Sequence, residues 1–137
     1  MKTRILIVDD NQMFRDGLKQ LINREADMEV AGEAENGQKA VALACELQPD
    51  VILMDIKMPV MNGVEATRRI LSEKPHMKIL ALSMYSDDGF RARMISAGAL
   101  GYIMKGGDFE ELSGAIRRVA GAGNPRFQNH SFPLIST

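Results

Sequence analysis

The stretch Val51-Ile52-Leu53-Met54-Asp55 is a run of four apolar residues that ends on a carboxylate. An unbroken apolar run of this length suits a strand buried on both faces, as in a parallel sheet covered by helices. In open sheets of that kind, ligands bind outside the carboxyl ends of the strands. Near the start of the chain, Ile5-Leu6-Ile7-Val8-Asp9-Asp10 repeats the pattern and ends on two carboxylates. Three acidic groups are therefore expected to meet at one sheet edge. Crowded carboxylates raise one another's pKa values unless a cation neutralises them, and carboxylate oxygens are the ligands that Mg2+ prefers. The pattern points to a metal and phosphoryl site.

Working outward, short apolar runs alternate with segments of helical period, the mark of repeated strand-helix units. Strands are expected near 3–9, 28–34, 51–55, 78–83 and 100–104, and helices near 12–24, 37–47, 63–73, 87–97 and 108–120. The fold class is α/β, a doubly wound five-stranded parallel sheet. The run Met28-Glu29-Val30-Ala31-Gly32-Glu33-Ala34 alternates partly in polarity, which suits an edge strand and a strand order of 2-1-3-4-5. Asn11 and Asn62 are expected to cap the first and third helices, Asp108 with Glu111 resembles a capping box, and Gly98 is expected to end the fourth helix. In the last helix, Leu112, Ala115, Ile116 and Val119 form one apolar stripe that should pack on the sheet.

The chain has 137 residues, 45% hydrophobic and 26% charged, which fits one folded domain over 1–121. Residues 122–137 are rich in glycine, proline and polar types without periodicity and are expected to be a flexible tail or linker stub. The net charge of -1 offers no global attraction to nucleic acid or to an anionic membrane. No apolar stretch approaches the length of a membrane span and no signal-peptide pattern opens the chain, so a cytoplasmic location is expected. Cys45 is the single cysteine, which excludes an internal disulfide; it reads as core packing, as do the ten methionines. His76 and His130 fall in a loop and in the tail, in no setting suited to donating a phosphoryl group.

Two further strands also end on polar groups: Ser83 follows Ile79-Leu80-Ala81-Leu82, and Lys105 follows Gly101-Tyr102-Ile103-Met104. With Asp9-Asp10, Asp55, Ser83 and Lys105 in that order, residues 3–120 resemble the receiver domains of two-component response regulators. The motifs that carry the resemblance are Ile-Val-Asp9-Asp10, Leu-Met-Asp55-Ile-Lys-Met-Pro59-Val-Met-Asn-Gly63, Leu-Ser83 and Gly-Tyr102-Ile-Met-Lys105. The segments Leu82–Asp88 and Ile116–Gly123 look like the NarL/FixJ-type subgroup of LuxR-family transcriptional regulators.

The resemblance implies that Asp55 is the phosphoacceptor, receiving a phosphoryl group from a sensor histidine kinase or phosphotransfer protein. Asp9, Asp10, Asp55 and the backbone carbonyl of Lys57 would hold Mg2+, while Lys105 and Ser83 would meet phosphoryl oxygens. Ser83 and Tyr102 would form the switch that alters a surface built from roughly 87–120. Lys57 and Tyr85 are expected to shield the acyl phosphate and so lengthen its lifetime. Pro59 and Gly63 are expected to shape the loop after Asp55, glycine by allowing unusual torsions. Lys105-Gly106 stands where many members have Lys-Pro, often with a cis bond, which leaves that loop's geometry open. Transcriptional output, with DNA reached only through a helix-turn-helix module beyond this chain, is the implied role, and a homodimer on phosphorylation is a further implication. A stand-alone receiver acting on a protein partner is the alternative.

The protein is expected to be a signalling phosphoacceptor that catalyses only its own phosphorylation and dephosphorylation. A magnesium-dependent phosphatase using an aspartyl intermediate would want an acid/base two residues after the nucleophile, and Lys57 occupies that place. A nucleotide-binding domain would want glycines after the first strand, where Asn11-Gln12-Met13-Phe14 stands instead.

Overall fold

A computed structural model of the chain describes residues 2–84 and 88–121. Five strands and five helices alternate: β1 (Thr3–Val8), α1 (Gln12–Asn23), β2 (Met28–Ala34), α2 (Gly37–Leu47), β3 (Val51–Asp55), α3 (Gly63–Glu73), β4 (Lys78–Ser83), α4 (Asp88–Ala97), β5 (Gly101–Met104) and α5 (Phe109–Gly121). All pairings are parallel and the order is β2-β1-β3-β4-β5. The element boundaries agree with the sequence expectation to within one residue. The first strand stops at Val8 because Asp9 already turns: its side chain accepts from Asn11 N at 2.9 Å, which starts the approach to α1. Tyr85, Asp87 and the tail 122–137 lie outside the described residues.

Side-chain alternation sorts the core into two layers. Ile5, Ile7, Val51, Leu53, Leu80 and Leu82 pack against Leu18 and Ile22 of α1 and against Leu112, Ala115, Ile116 and Val119 of α5. Leu6, Val8, Ile52, Met54, Ile79 and Ala81 face Ala40 and Ala44 of α2, Val64 and Ile70 of α3, and Met94 of α4. The apolar runs are continuous because both faces of β1, β3 and β4 are covered. In β2, at the sheet edge, four consecutive residues are only half buried, and its pairing with β1 is irregular between Ile5 and Leu6.

Helix ends follow local chemistry. Asn11 and Asn62 accept from Phe14 N at 3.1 Å and Glu65 N at 2.9 Å, and Asn36 caps α2 through Lys39 N at 2.8 Å. Asp108 caps α5 through Glu110 N at 3.0 Å, one residue earlier than a capping box would. Gly98 has φ 115°, as its place after α4 requires.

Cys45 is exposed, contrary to the core-packing expectation. The buried line of α2 runs through Ala40 and Ala44, and Cys45 falls one position around the helix from it. Five methionines (28, 54, 61, 77 and 94) are core filler, whereas Met13, Met84 and Met104 are exposed.

The loop after β3 is tightly constrained. Met61 N–H bonds Pro59 C=O at 2.7 Å, closing a three-residue γ-turn with Val60 at its centre. Val60 has φ 71°, a strained conformation for a β-branched residue and one that local propensity would not select. Gly63 serves a different purpose from the one expected. Its φ is ordinary, but a Cβ there would collide with the carbonyl oxygen of Asp55, and its N–H bonds Ile56 O at 2.8 Å. Glycine lets the start of α3 rest directly on the backbone of Asp55. Gly63→Ala should therefore cost about 3 kcal/mol or more, because backbone rather than a side-chain tip must move. Urea unfolding measures this, and a change within about 0.5 kcal/mol would show that no close approach exists.

Candidate functional site

The sheet register assembles the site. Val8 pairs with Met54, so Asp9 emerges beside Asp55; Asp55 pairs with Leu82, which puts Ser83 one rung further out. Ser83 pairs with Met104, which places Lys105 just beyond it, and Lys105 N–H donates to Ser83 O at 2.8 Å. The polar strand ends picked out in the sequence thus converge on one edge. On β4 and β5, alternation puts Ser83 and Tyr102 on the α4 side of the sheet.

Asp9 is fully buried, Asp55 is 6% exposed and Asp10 faces solvent. One carboxylate oxygen from each lies within 4.8 Å of the others. The side chain of Lys105 is buried with them, 8% exposed: its Nζ contacts Asp9 Oδ2 directly and stands 3.4 Å from Asp55 Oδ1. The same ammonium sits 4.8 Å from the centroid of the Phe14 ring. Asp55 Oδ1 also accepts from Ile56 N at 2.8 Å. Burial, with the nearby charge of Asp9 second, pushes the Asp55 carboxyl up to about 6, and Lys105 opposes the shift without cancelling it. A divalent cation would relieve this crowding. Two buried oxygen donors and one solvent-facing donor suit Mg2+, which takes oxygen ligands and keeps several waters.

The raised value has a stability consequence with a definite sign. The folded state holds the Asp55 proton more tightly than the unfolded chain, whose carboxyl titrates near 3.8. This stability is complete below that value and is lost as pH rises through about 6. In metal-free protein at neutral pH, the ionised group is a net burden. Asp55→Asn should then stabilise the chain by about 1–2 kcal/mol after allowance for partial solvation. The gain should shrink between pH 7.5 and pH 4, read by urea unfolding in the presence of a chelator; a gain that grows on acidification would contradict it.

Other expected site residues fall in varied places. Tyr102 is 2% exposed: its ring lies in the core layer beneath α4, and the Arg91 guanidinium stands 5.3 Å from the ring centroid. The Lys57 side chain is exposed, and its ammonium lies 4.8 Å from the centroid of Phe90, linking the loop after β3 to α4. Tyr85 lies outside the described residues. The bond after Lys105 is trans, and Gly106 has φ 78°, which proline could not adopt. His76 is exposed in the loop before β4.

One residue beside the site went unnoticed in the sequence. Arg15 of α1 is 9% exposed; its Nη1 donates to the Asp9 carbonyl at 2.6 Å and its Nε to Glu33 Oε1 at 2.8 Å. Its signal was an arginine lying in line with Leu18 and Ile22 on the buried stripe of α1.

A sheet of this order with an acidic cluster and a buried lysine at its carboxyl edge defines a CheY-like receiver fold. The chain belongs to the response regulator receiver domain family, whose model matches residues 5–117. It is 43% identical over 122 residues to the transcriptional regulatory protein DegU of Brevibacillus brevis, covering 89% of this chain and 52% of that one. It is also 43% identical over 126 residues to the transcriptional regulatory protein LiaR of Bacillus subtilis (strain 168), covering 92% and 59%. Among solved structures, a LuxR-family two-component response regulator from Aurantimonas sp. SI85-9A1 superposes with a TM-score of 0.85 at 34% identity, covering 90% of this chain and 89% of that one. The resemblance seen in the motifs is thus confirmed, including its NarL/LuxR-type character. The chain spans about half the length of the regulators DegU and LiaR. Among the described residues, no helix is long and apolar enough to cross a membrane.

Proposed function

We propose that this receiver accepts a phosphoryl group on Asp55 from a phosphohistidine of a sensor histidine kinase or phosphotransfer protein. The observation that carries the reading is the buried Lys105 ammonium set between Asp9 and Asp55, at the edge where three carboxylates converge. A carboxylate oxygen of Asp55 attacks phosphorus, the P–N bond breaks as the P–O bond forms, its electron pair returns to the ring nitrogen, and the histidine, protonated on its other ring nitrogen, leaves as neutral imidazole. The protein's contribution to such a transfer is positioning and charge compensation. Mg2+ held by Asp9, Asp10, Asp55 and the Lys57 carbonyl would supply charge neutralisation at the phosphoryl oxygens.

Lys105 offers a compact point charge to one phosphoryl oxygen, and Ser83 offers a hydroxyl to another. The acyl phosphate adds close to two negative charges next to β4 and β5. Ser83 and Tyr102 share the α4 side of the sheet, so a Ser83 hydroxyl drawn to the phosphate would change the packing around the buried Tyr102 ring. That change would reach the α4, β5 and α5 surface. Lys57 and Tyr85 would slow hydrolysis by covering the phosphate.

Output is transcriptional in this reading, with DNA contacted by an effector domain such as the relatives' additional length could hold, in the cytoplasm, and with dimers forming on phosphorylation. The test is intact mass after incubation with acetyl phosphate. A one-phosphoryl adduct should form with Mg2+ and disappear when the metal is chelated; an adduct that is indifferent to chelation would overturn the assignment.

A further inference from the structure

We infer that Arg15 is a positioning residue for the acidic site, fixing the Asp9–Asp10 peptide and thereby setting the affinity for a divalent cation. A buried guanidinium is costly unless it is paired and hydrogen-bonded, and here both conditions are met by groups at the site's border. Nη1 donates to the Asp9 carbonyl at 2.6 Å and Nε to Glu33 Oε1 at 2.8 Å. Glu33, near the end of β2, accepts Lys19 Nζ on its other oxygen at 2.6 Å. Two cations of α1 thus hold one carboxylate of the edge strand, and that carboxylate holds the guanidinium in place.

The bond to Asp9 completes the fixation of this residue. Asp9 N–H donates to Ala34 O at 3.0 Å, its Oδ1 accepts from Asn11 N at 2.9 Å, and its Oδ2 meets Lys105. The remaining polar atom is the carbonyl, and Arg15 ties it down. That carbonyl belongs to the peptide plane joining Asp9 to Asp10, so its orientation decides where the Asp10 carboxylate is presented. Asp10 is the solvent-facing member of the cluster. Arg15 touches neither reacting atoms nor carboxylates of the cluster; it acts through the backbone. The inference rests on the reading that Asp9, Asp10 and Asp55 hold the cation.

The test uses the full chain, with Mg2+ titrated by calorimetry and phosphorylation by acetyl phosphate followed as a function of Mg2+. Arg15→Gln should bind Mg2+ about 10-fold more weakly, at the low end of what loss of outer support for a metal ligand costs. Its phosphorylation should demand more Mg2+ yet return close to the wild-type rate at saturation. Glu33→Gln keeps the guanidinium but frees one of its anchors, and should weaken Mg2+ binding about 3-fold, the lesser loss expected for a more remote support. Wild-type Mg2+ affinity in a folded Arg15→Gln would overturn the inference, as would a rate loss that saturating Mg2+ does not restore, since that marks a general structural role. Should Arg15→Gln fail to fold, Glu33→Gln decides: unchanged affinity overturns the inference. A wild-type chain that binds no Mg2+ overturns the reading of the site itself, and this is visible before any variant is made.

Discussion

Lys105→Met should lower the rate of phosphorylation by acetyl phosphate about 100-fold at saturating Mg2+, the scale on which loss of one preorganised charge-stabilising group is felt. Methionine keeps an apolar stem of similar reach and deletes the ammonium. The expectation rests on where that ammonium stands: buried, in contact with Asp9 and 3.4 Å from Asp55. In this position it is already desolvated and aimed at the place where phosphoryl charge would arrive, so no reorganisation is needed during transfer. The same deletion leaves the carboxylates more crowded, because Lys105 is the group that opposes the upward shift of Asp55. Mg2+ affinity should accordingly rise rather than fall. A slow variant that binds Mg2+ at least as tightly separates a chemical role from collapse of the site. A rate within about 3-fold of wild type would mean that Lys105 is only a counter-ion, since a transition-state role costs far more.

Much of this was legible along the chain because it is local. Ile5–Val8, Val51–Met54 and Ile79–Leu82 are apolar without interruption, which only a doubly covered sheet explains. The polar residues that end those runs stand where parallel strands finish together, so their convergence followed from the topology. The half-exposed β2 betrayed its edge position by partial alternation.

The misses are non-local or conformational. Arg15 is buried by partners just after β1 and on β2; its place on the apolar stripe of α1 is the one mark of this along the chain, and nothing local names those distant partners. Cys45 sits in an apolar neighbourhood of sequence, yet the burial of Ala40 and Ala44 fixes the helix face and leaves it outside. The strained φ of Val60 and the close contact of Gly63 with Asp55 are imposed by the packing of the loop after β3, against or beyond local propensity. At Gly106, the departure from the family's proline proves consistent with a trans bond and a positive φ.

Asp55 is the proposed phosphoacceptor, and its replacement tests that role most directly. Asparagine at this position keeps the side chain's shape and its ability to accept from Ile56 N, but removes the negative charge and the nucleophilic carboxylate. Wild-type and Asp55→Asn chains should be incubated side by side with Mg2+ and acetyl phosphate and weighed intact. One phosphoryl adduct is expected on the wild type and none on Asp55→Asn; an adduct on both, or on neither, would contradict the assignment of Asp55.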